Sequence, residues 1–254
     1  MLDSFKVEAE KRGYDITFIN HNISGRSMTY LEHCHYRSVD GVVIACVNFY
    51  DPQVVELVNS DVPVVTIDHV FNNRMAVLSD NVAGLKALVK QAWACGHRRI
   101  AFIHGEKTSV TENRIAGFYQ ACEELGLEIP EEYVRNGVYH DVERCAEETR
   151  ALLALPQRPT CIIFPDDFSA LGGYNALSEA GLSIPEDISV MGYDGIYLSR
   201  VVKPPLVTYQ QNTKSLGRLA ADKLIELIEH PRVTLPEQIR VSGKLLDGGS
   251  VRIL

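Results

Sequence analysis

Three charged residues stand where apolar runs of the sequence give way to polar loops. Arg114 follows the loop after Ile100–Ile103 and opens a helical stretch marked by Ile115, Phe118, Cys122 and Leu125, closed by Gly126. A guanidinium offers five donors in a fixed fork, which suits a bidentate grip on vicinal hydroxyls or a carboxylate. Asp166 follows the run CIIFP, with Asp167 beside it, and Asp194 follows ISVMGY between Gly192 and Gly195. Ionised carboxylates are acceptors only, so two of them match a ligand with several hydroxyls. Tyr139 ends the run VRNGVY, where its ring can stack on the apolar side of a pyranose or on a planar base. Asn48 and Phe49, after GVVIACV, and Gln211 complete the candidates.

Each also has a plainer explanation. Arg114 can be a solvated helix residue, and either Asp166 or Asp167 can cap the following helix. Asp194 can be a turn residue bonded to its own backbone. Asp80 and Asn81 suit a cap for the helix over 83–95. Position alone leaves these pairs of meanings open.

The chemistry on offer is binding rather than turnover. The sequence has no G-x-G-x-x-G, no Walker loop and no G-x-S-x-G elbow. Asp166 and Asp194 could form the carboxylate pair of a glycoside-processing enzyme, yet both fit hydroxyl binding without catalysis. None of the eight histidines pairs with Cys, Asp or Glu at ligand spacing, so no metal or cofactor is expected. His97, in the GHRR turn, reads as structural. The six cysteines lack a C-x-x-C pair and fall mostly in expected helices and strands, as buried thiols of a reducing compartment do.

A net charge of −8 argues against a nucleic-acid-binding surface. At 46% hydrophobic and 23% charged, the composition is that of an ordinary globular protein. No run approaches the ~20 apolar residues of a membrane span. Met1 opens into LDSFKVEAEKRG, without a secretory pattern, and the expected location is cytoplasmic.

These residues need strands whose carboxyl ends carry loops, and the periodicity supplies them. A helix over 2–12 is followed by strands at Ile16–Ile19, Gly41–Cys46, Pro63–Asp68, Met75–Ser79 and Arg99–His104. Pro52 suits a first helical turn, and Leu85, Leu88, Val89 and Ala92 form a stripe at i, i+3, i+4, i+7. The pattern continues with strands at Tyr133–Tyr139, Cys161–Pro165, Ile188–Tyr193, Val207–Gln211 and Val241–Leu246, and helices over 142–155, 168–180 and Leu216–Leu227. Alternation of this kind predicts α/β architecture with parallel, doubly wound sheets, which bind ligands at strand carboxyl ends.

The ordered segments VDGVVIA (39–45), VPVVTID (62–68), SDNVAG (79–84), GHRRIAFIHG (96–105), R-x-x-G-F (114–118), RPTCIIFPDDFSALG (158–172), ISVMGYDG (188–195), PPLVTYQQN (204–212) and SLGRLAADKLIELI (215–228) resemble the effector-binding core of the lactose-repressor (LacI/GalR) family. The resemblance covers nearly the whole chain. It implies a periplasmic-binding-protein-like type I fold: two doubly wound lobes joined by three crossovers near Glu106, Gln211 and Gln238. Residues 1–105 plus 212–237 would form one lobe and 106–211 plus 238–254 the other. It implies a small-molecule effector, a sugar, held between lobes by Arg114, Tyr139, Asp166 and Asp194, with Asp167 structural. It implies a homodimer, for which Phe5, Val7 and Ala9 offer a stripe on the first helix, and lobe motion that sets operator binding. Residues 1–254 hold no counterpart of the family's helix-turn-helix, hinge helix or first core strand, so operator DNA is expected to bind only through a further amino-terminal domain. Gly248-Gly249-Ser250 departs from the Arg-containing close usual in the family. A transport receptor for sugars shares the same pocket and is the alternative.

Overall fold

Val64–Ile67 and Met75–Ser79 are buried at every residue, as strands of a parallel sheet covered on both faces must be. They belong to a computed structural model that describes residues 1–19, 22–23 and 26–254. In chain order its first elements are α1 (Leu2–Lys11), β1 (Asn22–Ile23), β2 (Arg26–Ser27), α2 (Tyr30–Arg37), β3 (Val42–Ile44), α3 (Pro52–Asn59), β4 (Val64–Ile67) and β5 (Met75–Ser79). Helix starts follow local chemistry. Thr29 and Glu32 form a reciprocal capping box on α2, and Asp51 caps α3 with Pro52 in its first turn.

Next come α4 (Asn81–Ala94), β6 (Ile100–His104), α5 (Ser109–Glu124), a 3-10 turn at Glu131–Tyr133, β7 (Val134–Asn136), α6 (Val142–Leu153), β8 (Cys161–Ile163), α7 (Ala170–Glu179), β9 (Ser189–Asp194), α8 (Leu198–Val201) and β10 (Val207–Gln210). The chain closes with α9 (Thr213–Glu229), β11 (Gln238–Val241) and β12 (Lys244–Leu246).

Two units result, each from two stretches of chain: Met1–Ser79 with Asn212–Val241, and Asp80–Gln211 with Ser242–Leu254. The first has a four-stranded parallel sheet in the order β11-β5-β4-β3. The second has six strands in the order β12-β10-β9-β8-β6-β7, parallel except for β12. Its core packs Phe102 against Phe118, with ring centroids 5.3 Å apart, and adds Leu85, Leu88, Ile163 and Tyr193.

The first crossing differs from the expected position near Glu106. It lies between Ser79 and Asp80, because β6 is hydrogen-bonded to β7 and β8 and α4 packs on α5. The stretch around β6 is therefore a central part of the second unit, and residues 80–105 move from the expected first lobe to the second. The run Val241–Leu246, expected as one strand, is divided: β11 pairs with β5 in the first unit and β12 with β10 in the second. The last crossing is accordingly between Val241 and Ser242.

Other expectations change for equally local reasons. Ile16–Ile19 form no ladder among the described residues, and β3 is an outer strand bonded to β4. The strand expected over Tyr133–Tyr139 is confined to β7, so Tyr139 sits in a loop. The stripe on α1 does not stand open for a partner. Phe5 packs into the first unit's core with Leu216 and Ala220 of α9, Ala9 is buried, and Arg12 pairs with Asp222 at 2.5 Å. Val7 alone of that stripe is exposed. Cys34, Cys122, Cys145 and Cys161 are buried, Cys95 is half-buried, and Cys46 is exposed.

The departure at Gly248-Gly249-Ser250 has a structural use. Ser250 is fully buried; its hydroxyl donates to Val190 O at 2.6 Å and accepts from Val207 N–H at 2.8 Å. One side chain thus ties the tail to β9 and to the start of β10. His97 is also structural, with Nδ1 2.9 Å from Thr160 Oγ1 and Nε2 3.2 Å from Arg252 O. Burial lowers its pKa, so it sits as a neutral ring. No helix among the described residues is long and apolar enough to cross a membrane.

Candidate functional site

The second unit collects its polar groups where β6, β8 and β9 end. Arg114 enters from the second turn of α5, which Thr108 caps by accepting from Thr111 N–H at 3.2 Å. Its side chain is buried, not solvated. Nε donates to Asn81 Oδ1 at 2.9 Å and Nη1 to Pro165 O at 2.6 Å, while Nη2 lies 3.8 Å from Asp194 Oδ1. The guanidinium also rests 3.6 Å from the Tyr193 ring centroid and 5.5 Å from that of Tyr139. Tyr193 can occupy that place because α4 has Gly84 there; a β-carbon would collide with the ring. Among the anchors of Arg114, Asn81 extends the role of the SDN run. Asp80 caps α4 through Ala83 N–H, and Asn81 is a buried acceptor.

Asp194, the last residue of β9, has φ of +100°, unfavourable for any residue with a β-carbon. Its Oδ1 accepts from Gln211 Nε2 at 2.5 Å, and its carbonyl accepts from Gln211 N–H at 3.2 Å. About a fifth of its side chain remains exposed. Arg114, Asp194 and Gln211 thus form one array: a buried cation, a partly exposed carboxylate and an amide.

Tyr139 borders the array from the loop after β7. Its hydroxyl is 2.9 Å from Thr111 Oγ1, and its N–H donates to Glu106 Oε2 at 2.9 Å. The ring lies over Gly105, where a β-carbon would strike it. Burial raises the phenol pKa, opposed by the neighbouring Arg114, so the hydroxyl stays protonated at neutral pH.

Asp166 does not present its carboxylate to a ligand. It is 1% exposed; Oδ1 accepts from Ser169 N–H at 2.8 Å, and Oδ2 from Ser169 Oγ at 2.7 Å and His140 N–H at 2.9 Å. The carboxylate instead holds the loop at His140, whose φ is +58°, against the entry to α7. His140 and exposed Phe168 meet edge to face at 6.5 Å. The sequence signal for His140 was only its place beside Tyr139. Asp167 is equally buried, accepting from Ile196 N–H at 2.8 Å and Thr208 Oγ1 at 2.5 Å. Burial pushes its pKa up to about 7, with Asp194 and Asp166 adding to the rise.

Asn48 and Phe49 lie in the first unit, in the turn after β3. Asn48 Oδ1 accepts from Tyr50 N–H at 3.1 Å. Phe49 stacks on His69 with centroids 4.4 Å apart, and Phe71 closes on the same imidazole at 4.7 Å. His69 and Phe71 were not foreseen, since only the fold brings them to Phe49. Among the described residues no cluster of His, Cys, Asp and Glu has the makings of a metal site.

The sequence family of periplasmic binding protein-like domains matches residues 89–251. The chain is 33% identical over 235 residues to the transcriptional repressor PurR of Haemophilus influenzae, covering 91% of this chain and 69% of the relative. It belongs to the LacI family. Among solved structures, a LacI-family regulator from Enterococcus faecium with bound ribose is 26% identical at a TM-score of 0.84, over 99% of this chain and 92% of that one. The cellobiose complex of the regulator CelR is 25% identical at a TM-score of 0.86, over 97% and 76%. The chain is the ligand-binding domain of a LacI-family transcriptional regulator, and the relatives' names are those of repressors and regulators, not enzymes.

Proposed function

We propose that this LacI-family domain senses a small polyhydroxylated effector, a sugar, and converts its binding into a change in operator affinity. The observation that carries the proposal is the array of Arg114, Asp194 and Gln211, which sets donors and acceptors of hydroxyl groups side by side. Arg114 and Gln211 donate, Asp194 accepts, and the Tyr139 ring provides the apolar face that sugar rings need. Asp166 acts indirectly, by fixing the loop at Tyr139 and His140. Ribose and cellobiose in solved members of the family favour a sugar over other polar molecules.

In this proposal the regulator works in the cytoplasm as a homodimer, and effector occupancy biases a conformational equilibrium. Operator DNA is engaged by a domain outside residues 1–254. Calorimetric titration against ribose, cellobiose and purine bases tests the ligand class. Saturable binding of a sugar, lost in Asp194→Gly, supports the proposal; binding of a purine base alone overturns it. Light scattering of a monomer at micromolar concentration would count against the dimer.

A further inference from the structure

Asp194 supplies the acceptor of the proposed sugar site from a backbone conformation that its β-carbon disfavours. Such a conformation persists only where the surrounding structure over-determines it. The hydrogen bonds on either side of Asp194 show what holds it.

A residue's φ and ψ are fixed once the two peptide planes that meet at it are fixed. The plane before Asp194 carries the Tyr193 carbonyl, which accepts from Asp167 N–H at 2.8 Å. The plane after it carries the Gly195 N–H, which donates to Thr208 Oγ1 at 3.3 Å. That hydroxyl donates in turn to Asp167 Oδ1 at 2.5 Å, and Asp167 Oδ2 accepts from Ile196 N–H at 2.8 Å.

Asp167 therefore grips the chain on both sides of Asp194, by its own N–H ahead and by its carboxylate behind, with Thr208 as the intermediary. Both residues are buried, at 1% and 0% exposure, so water does not compete for these bonds. Gly192 lets the carboxylate sit this close to β9, since a β-carbon there would strike Oδ1. A buried turn aspartate that merely started α7 would have no need to reach Ile196 and Thr208, 29 and 41 residues further along the chain.

We propose that Asp167, through Thr208, is the positioning residue of the effector site: it clamps the two peptide planes about Asp194 and so aims that carboxylate at the ligand. The inference rests on the reading of Asp194 as a sugar acceptor, but the clamp is measurable with no sugar present.

The test is amide hydrogen exchange on the 254-residue chain, with Gln211 N–H as reporter because it donates to the Asp194 carbonyl. Phe164 N–H, bonded to Met191 O at 2.8 Å in the same unit, reports overall stability. Thr208→Val keeps the shape and removes the hydroxyl, and should speed Gln211 exchange about tenfold or more relative to Phe164. Thr208→Ser should restore the native rate. Asp167→Ala should behave as Thr208→Val, and Asp167→Asn, still an acceptor for Ile196 N–H, as Thr208→Ser. In an Asp194→Gly background Thr208→Val should speed Gln211 less, because glycine has no strain to release. Gln211 and Phe164 accelerating in step, or equal effects in the two backgrounds, overturns the proposal, since Asp167 and Thr208 would then only stabilise the fold.

Calorimetry with ribose and cellobiose supplies the second arm. Thr208→Val should weaken the sugar that the native chain binds by roughly tenfold, as loss of a well-aimed charged acceptor does, while Ser250→Ala leaves it unchanged. Native affinity in Thr208→Val overturns the proposal. A native chain that binds neither sugar overturns the sugar reading instead, and the exchange rates alone then decide the clamp.

Discussion

Arg114 and Tyr193 lie face to face, the guanidinium carbon 3.6 Å from the ring centroid. A cation held over an aromatic face away from water gains about 2 kcal/mol. This contact helps offset the desolvation of a charge that the fold has taken almost wholly out of solvent. Asn81 and the Pro165 carbonyl fix the other side of the fork. The arginine is therefore an immobilised donor, and little side-chain entropy remains to be lost when a ligand arrives.

Arg114→Ala should weaken the fold as well as the binding. Asn81 Oδ1 and Pro165 O would lose a charged donor, at a cost of roughly 2–4 kcal/mol. Arg114→Lys keeps the charge but not the fork, and should lower sugar affinity roughly tenfold to a hundredfold with a smaller loss of stability. Urea denaturation beside calorimetric titration separates the two effects.

Asp194→Gly should part stability from function. Glycine adopts a φ of +100° without strain, so the melting temperature is expected to hold or rise. Loss of the carboxylate should still weaken sugar binding by roughly tenfold or more. A variant that binds normally would remove Asp194 from the site.

Asp167 should make stability depend on pH in the opposite sense to an ordinary salt-bridged carboxylate. Its folded pKa of about 7 lies above the ordinary 3.8. Between those values the folded state binds more protons than the unfolded one, so stability falls as pH rises from about 4 to 7 and levels off above. Asp167→Asn can still accept from Ile196 N–H and donate to Thr208 Oγ1, and should lack this contribution. Melting temperatures of the two proteins across that range check the sign.

Ser250→Ala should cost about 1–3 kcal/mol, because the buried Val207 N–H would lose its acceptor. Sugar affinity should be unchanged. Denaturation midpoints beside titration of the same sample provide the comparison.

The periodicity of the chain carried most of the fold, as the α4 stripe and the apolar runs of β4, β6 and β9 show. The first crossing was less legible because Ser79, Asp80 and Asn81 combine a strand end, a cap and an arginine anchor without any change of composition. Within the second unit, Arg114 and Asp194 were both singled out from type and position, and they come within 3.8 Å of each other. Asp166 and Asp167 could not be told apart that way. Their partners, the His140 N–H and the Thr208 hydroxyl, are 26 and 41 residues away along the chain. Asn81 looked like a cap for the same reason: Arg114 lies 33 residues further on.

The first unit draws on both ends of a long interruption, Met1–Ser79 and Asn212–Val241, and that sets an order of events on the ribosome. Val65, Ile67, Met75 and Val77 emerge early, but α9, whose Leu216, Ala220 and Leu224 cover them, belongs to the returning stretch. At about 5–20 residues per second, translation of Asp80–Gln211 leaves those side chains uncovered for on the order of ten seconds. The second unit, by contrast, has all but β12 of its sheet in that one stretch. Synthesis therefore completes most of the later unit before the earlier one can close, and the nascent chain is most exposed to aggregation, and to capture by a chaperone, in that interval.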